Sequence, residues 1–273
     1  MKIRLFQIDA FADQLFQGNP AAVMPLPHWL DDQTLQQLAS ENNLSETAFY
    51  VERLPDGVIP LGDGPAYHLR WFTPATEVDL CGHATLATAA QLFEDVHPDE
   101  RRLQFWTRSG WLTTDRADNG AIVMDFPAEP LVRVERDPLI ESALGASATK
   151  AFRGTDLIYV LESPEIVKGL VPDFTMLGRL DVRGLIVTAR GGDKGVDFVS
   201  RWFGALAGIA EDPVTGSAHS QIAPYWAREI GRNTLTARQL SPRGGTVHCT
   251  VIGERVQLAG TYRRYLDGTV TIP

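Results

Sequence analysis

Arg70-Trp71-Phe72, which leads to Gly82-His83-Ala84-Thr85, has an echo in Arg201-Trp202-Phe203, which leads to Gly216-Ser217-Ala218-His219. Each tripeptide closes an alternating, strand-like run, Tyr67–Phe72 in one half and Val196–Phe203 in the other. The first run continues through Thr73-Pro74-Ala75-Thr76-Glu77-Val78-Asp79-Leu80-Cys81 into a helix of small residues, Leu86–Leu92. The second continues through residues 204–209 and Glu211-Asp212-Pro213-Val214-Thr215 into another helix. The order strand, loop, glycine, helix therefore occurs twice. It predicts a duplicated lobe, with a helix N-terminus from each copy facing one cleft.

Outward from this echo, alternating apolar positions predict strands at Ile3–Ile8, Ala121–Phe126, Leu157–Leu161, Leu185–Ala189, Thr246–Ile252 and Arg255–Leu258. Helices are fewer. Asp31 caps a run in which Leu35, Leu38 and Ala39 share a face, Pro138–Leu144 forms a short helix, and two more start after Gly82 and Gly216. These helices do not alternate with strands as βαβ units would, which excludes a doubly wound parallel sheet and predicts an α+β fold of strand-rich lobes around a helix or two. The linker is expected at Pro127-Ala128-Glu129-Pro130, because two prolines interrupt a strand ladder there. The expected division is 1–127 and 128–273, with the last strand able to cross back to the first lobe.

Composition narrows the function. Of 273 residues, 44% are hydrophobic and 22% charged, which is enough apolar material for a sizeable core and rules out a disordered or fibrous chain. Acidic residues outnumber basic ones 34 to 25 and no long run of like charge occurs, so neither nucleic acid nor a membrane surface is expected as a partner. The N-terminus reaches charged residues before a signal-peptide core could form, and no 18-residue apolar stretch follows, so a cytoplasmic protein is expected. Cys81 and Cys249 lie far apart and outside any metal-type spacing, and read as free thiols.

A helix N-terminus carries unpaired N–H groups and about half a positive charge, so it binds a carboxylate or phosphate without a lysine. Gly82-His83 and Gly216-Ser217 fit that role, with the Ser217 hydroxyl adding a hydrogen bond; a bare turn and a capping Ser217 would look the same. Glu46 follows the first helix and precedes apolar and β-branched residues, so its carboxylate is expected to be partly desolvated and suited to general acid–base work. His83 and Asp212 stand beside the two helix starts, where a histidine can pass a proton and an aspartate can orient it or accept the proton itself. His219, one turn into its helix, is expected to face the core. No phosphate-binding or dinucleotide fingerprint, H-E-x-x-H or C-x-x-C occurs, and no G-x-S-x-G elbow supports a hydrolase built from Ser217, His83 and Asp212. Neither a cofactor nor a metal is expected.

Gly18-Asn19-Pro20-Ala21-Ala22-Val23, Ser45-Glu46-Thr47-Ala48-Phe49, Arg70-Trp71-Phe72-Thr73-Pro74, Val78-Asp79-Leu80-Cys81-Gly82-His83-Ala84-Thr85 and Asp212-Pro213-Val214-Thr215-Gly216-Ser217-Ala218 together resemble the PhzF family of phenazine-biosynthesis-like isomerases. The blocks run from near the N-terminus well into the second half, in the family's order. The resemblance implies the diaminopimelate-epimerase-like fold: two similar lobes, each a strongly curved, mostly antiparallel sheet wrapped round a central helix, with the active site between them. It also implies a cofactor-free isomerase that moves a proton, as the best-known member does on a dihydro-hydroxyanthranilate bound for phenazines, and it implies a homodimer. Carried over by motif, Glu46 is the general acid–base residue, His83 and Asp212 support it, and Gly82, His83, Gly216 and Ser217 bind the carboxylate of a small-molecule substrate.

Racemases of the same fold oppose two cysteines, one per lobe. Cys81 stands at the first position, but the second lobe has no thiol near Asp212-Pro213, and Cys249 lies in a predicted strand far beyond. What is left is a single-carboxylate mechanism through Glu46. A non-catalytic binding protein for small carboxylates is the competing expectation. It would keep both glycine-led helices and could dispense with Glu46.

Overall fold

A computed structural model, which describes residues 1–192, 195–204 and 209–272, divides the chain into two units. Unit 1 runs from Met1 to Asp125 and takes back the chain from Ala259 onward, and unit 2 is Phe126–Leu258. In order, unit 1 contains β1 (Lys2–Ala10), β2 (Asn19–Pro25), α1 (Asp32–Asn42), β3 (Glu46–Val51), β4 (Ala66–Phe72), the short β5 (Glu77–Val78), α2 (Gly82–Asp95), β6 (Arg102–Thr107), β7 (Gly110–Arg116) and most of β8 (Ile122–Pro127). Unit 2 contains β9 (Val132–Val134), α3 (Pro138–Leu144), β10 (Lys150–Arg153), β11 (Leu157–Val160), α4 (Pro164–Gly169), α5 (Phe174–Leu177), β12 (Leu185–Arg190) and β13 (Phe198–Gly204). There follow β14 (Ile209–Asp212), α6 (Gly216–Ile230), β15 (Thr234–Gln239), β16 (Gly245–Ile252) and most of β17 (Arg255–Gly260), and β18 (Tyr262–Thr271) belongs again to unit 1.

The two units repeat one pairing order. In unit 1, β18–β1 and β1–β2 are antiparallel, β2–β3 parallel, β3–β4 antiparallel, β4–β6 parallel and β6–β7 antiparallel. In unit 2 the same order runs through β9–β10, β10–β11, β11–β12, β12–β13, β13–β15 and β15–β16. The short strands β5 and β14 hang on β4 and β13 in matching places. This match explains the return of the C-terminus. β18 fills for β1 the place that β9 fills for β10, and without it β1 would present an open edge. The expected boundary at 127/128 falls two residues beyond the division observed, and Pro127 still counts as the last residue of β8.

In each unit the strands are covered on two sides. Every residue of α2 from His83 to Phe93 is buried, and the helix packs against β1, β2 and β3, with alanines at 84, 87, 89 and 90 permitting close approach. Its counterpart α6 packs on β15 and β16. On the other side α1 sets Leu35 and Ala39 into a cluster with Met24, Phe49 and Phe72, while Ile140, Leu144, Val167 and Leu177 from α3, α4 and α5 cover Val187 and Phe203. The α+β class and central helices expected from the sequence are those found. The sequence reading did not mark β2 and β3 as strands, because burial on both faces removes their alternation. The part of the second loop at 205–208 lies outside the described residues. Gly18 shapes the turn into β2 with φ +69°, and a Cβ there would stand 2.1 Å from the Ala10 carbonyl oxygen.

The repeated tripeptide now has a physical role. Arg70 donates from Nε and Nη2 to the two carboxylate oxygens of Glu77 at 2.7 and 2.8 Å, and Arg201 does the same to Glu211 at 2.6 and 2.9 Å. All four side chains are close to nine-tenths buried. Each fork ties the strand before the central helix to the short strand that leads into it. Removing one partner strands the other charge in a poorly hydrated place. Glu211→Gln or Arg201→Met is therefore expected to lower unfolding free energy by about 3–5 kcal/mol in urea titrations. Arg53→Ala, which breaks an exposed pair with Asp56, should leave the midpoint nearly unmoved. Equal effects from the two would contradict this role.

Candidate active site

Glu46 is the first residue of β3, set beside Ala21 of β2, and not part of the preceding turn. His83 is the second residue of α2, and Cys81 is that helix's N-cap. The fold brings all three together. His83 Nε2 lies 3.1 Å from Glu46 Oε2, while its Nδ1 lies 3.3 Å from Asn19 Nδ2 and 3.5 Å from Cys81 Sγ. Oε2 and Nε2 are both shut off from solvent, and their approach lacks the alignment of a hydrogen bond, so it is an electrostatic contact. Cys81 makes no side-chain bond to the first-turn amides of α2, which leaves that end of the helix without a side-chain cap.

The charges follow from this packing. Burial, reinforced by the Glu46 carboxylate, pushes the Cys81 thiol up against the opposing pull of His83, so Cys81 is a neutral thiol near pH 7. Burial also opposes charge on His83, yet the acidic groups beside it outweigh burial and raise its pKa well above the ordinary histidine value. Of these groups Cys81 acts most strongly on His83 and Glu46 next. A carboxylate facing an imidazolium in a dry pocket can take a proton from an acidic carbon while the neighbouring cation offsets the charge that develops. Glu46, Cys81 and His83 also bring possible metal ligands within 4.8 Å of one another. Sγ and Oε2 approach different ring nitrogens, however, so the three form a chain through the imidazole and not a common ligand face.

The remaining predicted residues belong to unit 2. Asp212 ends β14, its Oδ2 accepts the Thr215 hydroxyl at 2.5 Å, and Gln239 accepts the Thr215 amide and donates to the Asp212 carbonyl. Thr215 is the N-cap of α6 but, being engaged with Asp212, makes no side-chain bond to the helix amides. Ser217 is thus not a cap. It is the second residue of α6, and its hydroxyl accepts from Arg183 Nη2 at 3.1 Å. A Cβ on Gly216 would meet its nearest neighbour, Leu258, at 3.9 Å, an ordinary van der Waals contact. Sequence reading missed Asn19, Arg183, Thr215 and Gln239. Asn19 and Thr215 lie inside the quoted motif blocks, whereas no local pattern marks Arg183 or Gln239. His219 faces the core as expected, donating from Nδ1 to the Thr215 carbonyl at 2.8 Å, with Nε2 3.4 Å from the Ser200 hydroxyl.

Burial pushes the His219 pKa down to about 4, the opposite of His83. Its folded value lies below its unfolded one, so its contribution to stability is complete above about pH 6.5 and is lost as pH falls towards 4, by about 3 kcal/mol in all. The contribution of His83, with a raised value, is present below about pH 6.5 and is lost as pH climbs through its folded pKa. NMR of ¹³C-labelled histidines at pH 7 is expected to show His83 as imidazolium and His219 as neutral imidazole, with Glu46→Gln returning His83 towards its ordinary range. A neutral His83 at pH 7 in the unmodified protein would contradict this assignment.

Among the described residues no helix is long and apolar enough to cross a membrane. The chain matches the phenazine biosynthesis-like (PhzC-PhzF) family over residues 8–268. It is 49% identical over 271 residues to the protein named uncharacterized isomerase PA2770 of Pseudomonas aeruginosa, covering 99% of both chains. The solved structure of a PhzF-family phenazine biosynthesis protein from Enterococcus faecalis superposes with a TM-score of 0.92 at 44% identity, covering all of both chains. A predicted epimerase of Pseudomonas aeruginosa, PA4716, shares the fold at a TM-score of 0.73 and 21% identity, covering 99% of this chain and all of its own. With relatives named isomerases and epimerase-like structural neighbours, this chain belongs to the PhzF family of phenazine biosynthesis-like proteins.

Proposed function

We propose that the protein is a cofactor-independent isomerase that relocates a proton on a small carboxylate-bearing metabolite, with Glu46 as general base and acid. The observation that carries this reading is the 3.1 Å approach of Glu46 Oε2 to His83 Nε2, with both atoms withdrawn from solvent. Glu46 takes a proton from a substrate carbon, and the electron pair left behind moves into the adjoining π system. The same carboxyl then delivers the proton to another carbon, so no external acid, base or electron acceptor enters the balance. His83, held as a cation, and the uncapped N–H groups at Gly82 and His83 offset the negative charge on the substrate between the two steps. In unit 2, Asp212, Gly216 and Ser217 are read as a substrate-binding set of their own. A cytoplasmic homodimer is part of the proposal, and the two free, buried cysteines suit a reducing compartment.

A protein that only bound carboxylates would need the helix ends but not a desolvated Glu46 beside His83. Turnover, followed as depletion of whichever metabolite the unmodified protein removes from a cell extract, separates the two. Glu46→Gln keeps the shape but cannot accept a proton, and is expected to lower the rate by about 10²- to 10⁴-fold with the fold intact. Cys81→Ala is expected to stay within about tenfold, since a neutral thiol with no partner cannot act as a racemase base. A folded Glu46→Gln protein within tenfold of the original would remove Glu46 from the mechanism.

A further inference from the structure

Strand register matches the two units residue by residue. Thr47 faces Phe72 and Leu185 faces Phe203, so Ser45-Glu46 corresponds to Arg183-Gly184. Equal spacing from Glu77 and Glu211 makes Cys81, Gly82 and His83 correspond to Thr215, Gly216 and Ser217. In both units a side chain from the start of the strand meets the second residue of the central helix. Glu46 meets His83 at 3.1 Å in one, and Arg183 meets Ser217 at 3.1 Å in the other. Unit 2 has no room for a counterpart of Glu46, because a Cβ on Gly184 would lie 2.4 Å from the Trp202 indole.

Arg183 is held as a fixed plane. The fully buried Asp156 accepts its Nε at 2.8 Å and its Nη2 at 2.5 Å, and also accepts Trp202 Nε1 and Gln221 Nε2 at 3.1 and 2.8 Å. The pair is lopsided: the Asp156 side chain has no exposure, and that of Arg183 has 44%. Among the described residues Nη1 of Arg183 has no hydrogen-bond partner, so one edge of a rigid guanidinium remains to bind a ligand beside the Ser217 hydroxyl.

We infer that Arg183 and Ser217 form the recognition site for the substrate's carboxylate, occupying in unit 2 the place that the acid–base pair occupies in unit 1. The inference rests on the proposed function in taking unit 2 as substrate-binding, and adds the residue that selects for a carboxylate. Guanidinium suits that task better than an ammonium, because its orientation is already fixed by Asp156 while Nη1 keeps both of its hydrogens for the ligand.

The test is chemical protection, which needs no turnover. Butanedione modifies accessible guanidinium groups, and peptide mass spectrometry reads Arg183 directly. Arg183 is expected to react in the free protein and to be protected by acetate or benzoate, but by neither acetamide nor benzamide at matched ionic strength. In calorimetric titration with the same carboxylates, Arg183→Lys, which retains a charge for Asp156, should bind at least about tenfold more weakly, while Glu46→Gln should bind as before. An unreactive Arg183, no protection by either carboxylate, equal protection by the amides, or unchanged binding by Arg183→Lys would each overturn the inference. If Arg183→Lys does not fold, protection alone decides. Protection together with an active Glu46→Gln protein would sink the proposed base and leave this site standing; loss of turnover in Glu46→Gln without protection would do the reverse.

Discussion

In each unit a buried arginine on the strand before the central helix grips a glutamate on the short strand after it, through two parallel hydrogen bonds. Neither charge has enough water to stand alone, so the two strands are held together and the chain that follows the glutamate has one path. That path ends at the glycine that opens the helix, and the N-cap side chains are not spent on the helix amides. The site chemistry is therefore set by a scaffold constraint: a carboxylate–guanidinium fork fixes where an uncapped helix end, with its partial positive charge, is presented.

Duplication then permits division of labour. Two backbone positions, the start of a strand and the second residue of the central helix, come together in both copies. Unit 1 fills them with Glu46 and His83, a pair able to hold and move a proton. Unit 2 fills the neighbouring position with Arg183 and the helix position with Ser217, both hydrogen-bond donors suited to an anion. Trp202, which stands where unit 1 has Trp71, occupies the space above Gly184 and so excludes a second carboxylate.

Much of this was legible because it is written locally. The Arg-Trp-Phe echo, the Asp31 cap, the Pro138–Leu144 helix and both glycine-led helices are signals within a few residues of the structures they specify. Strands β2 and β3 were not legible as strands, since a strand buried on both faces loses its period of two. Glu46, His83 and Asp212 were named as site residues, but the 3.1 Å contact between Glu46 and His83 depends on β3 and α2 meeting in the fold. The Asp156 network was out of reach for the same reason: it joins Asp156 to Gln221 across 65 residues of chain and to Trp202 across 46, and of the three only Trp202 lies in a motif.

The central claim is that Glu46 carries a proton from one substrate carbon to another. The most direct measurement is mass spectrometry of a metabolite extract incubated with the protein in D₂O. A carboxylate that exchanges its acquired proton with water between the two steps leaves one carbon-bound deuterium in the metabolite it processes, and the account predicts that label with the unmodified protein and none with Glu46→Gln. The same label, at a comparable rate, in the presence of a folded Glu46→Gln protein would contradict it.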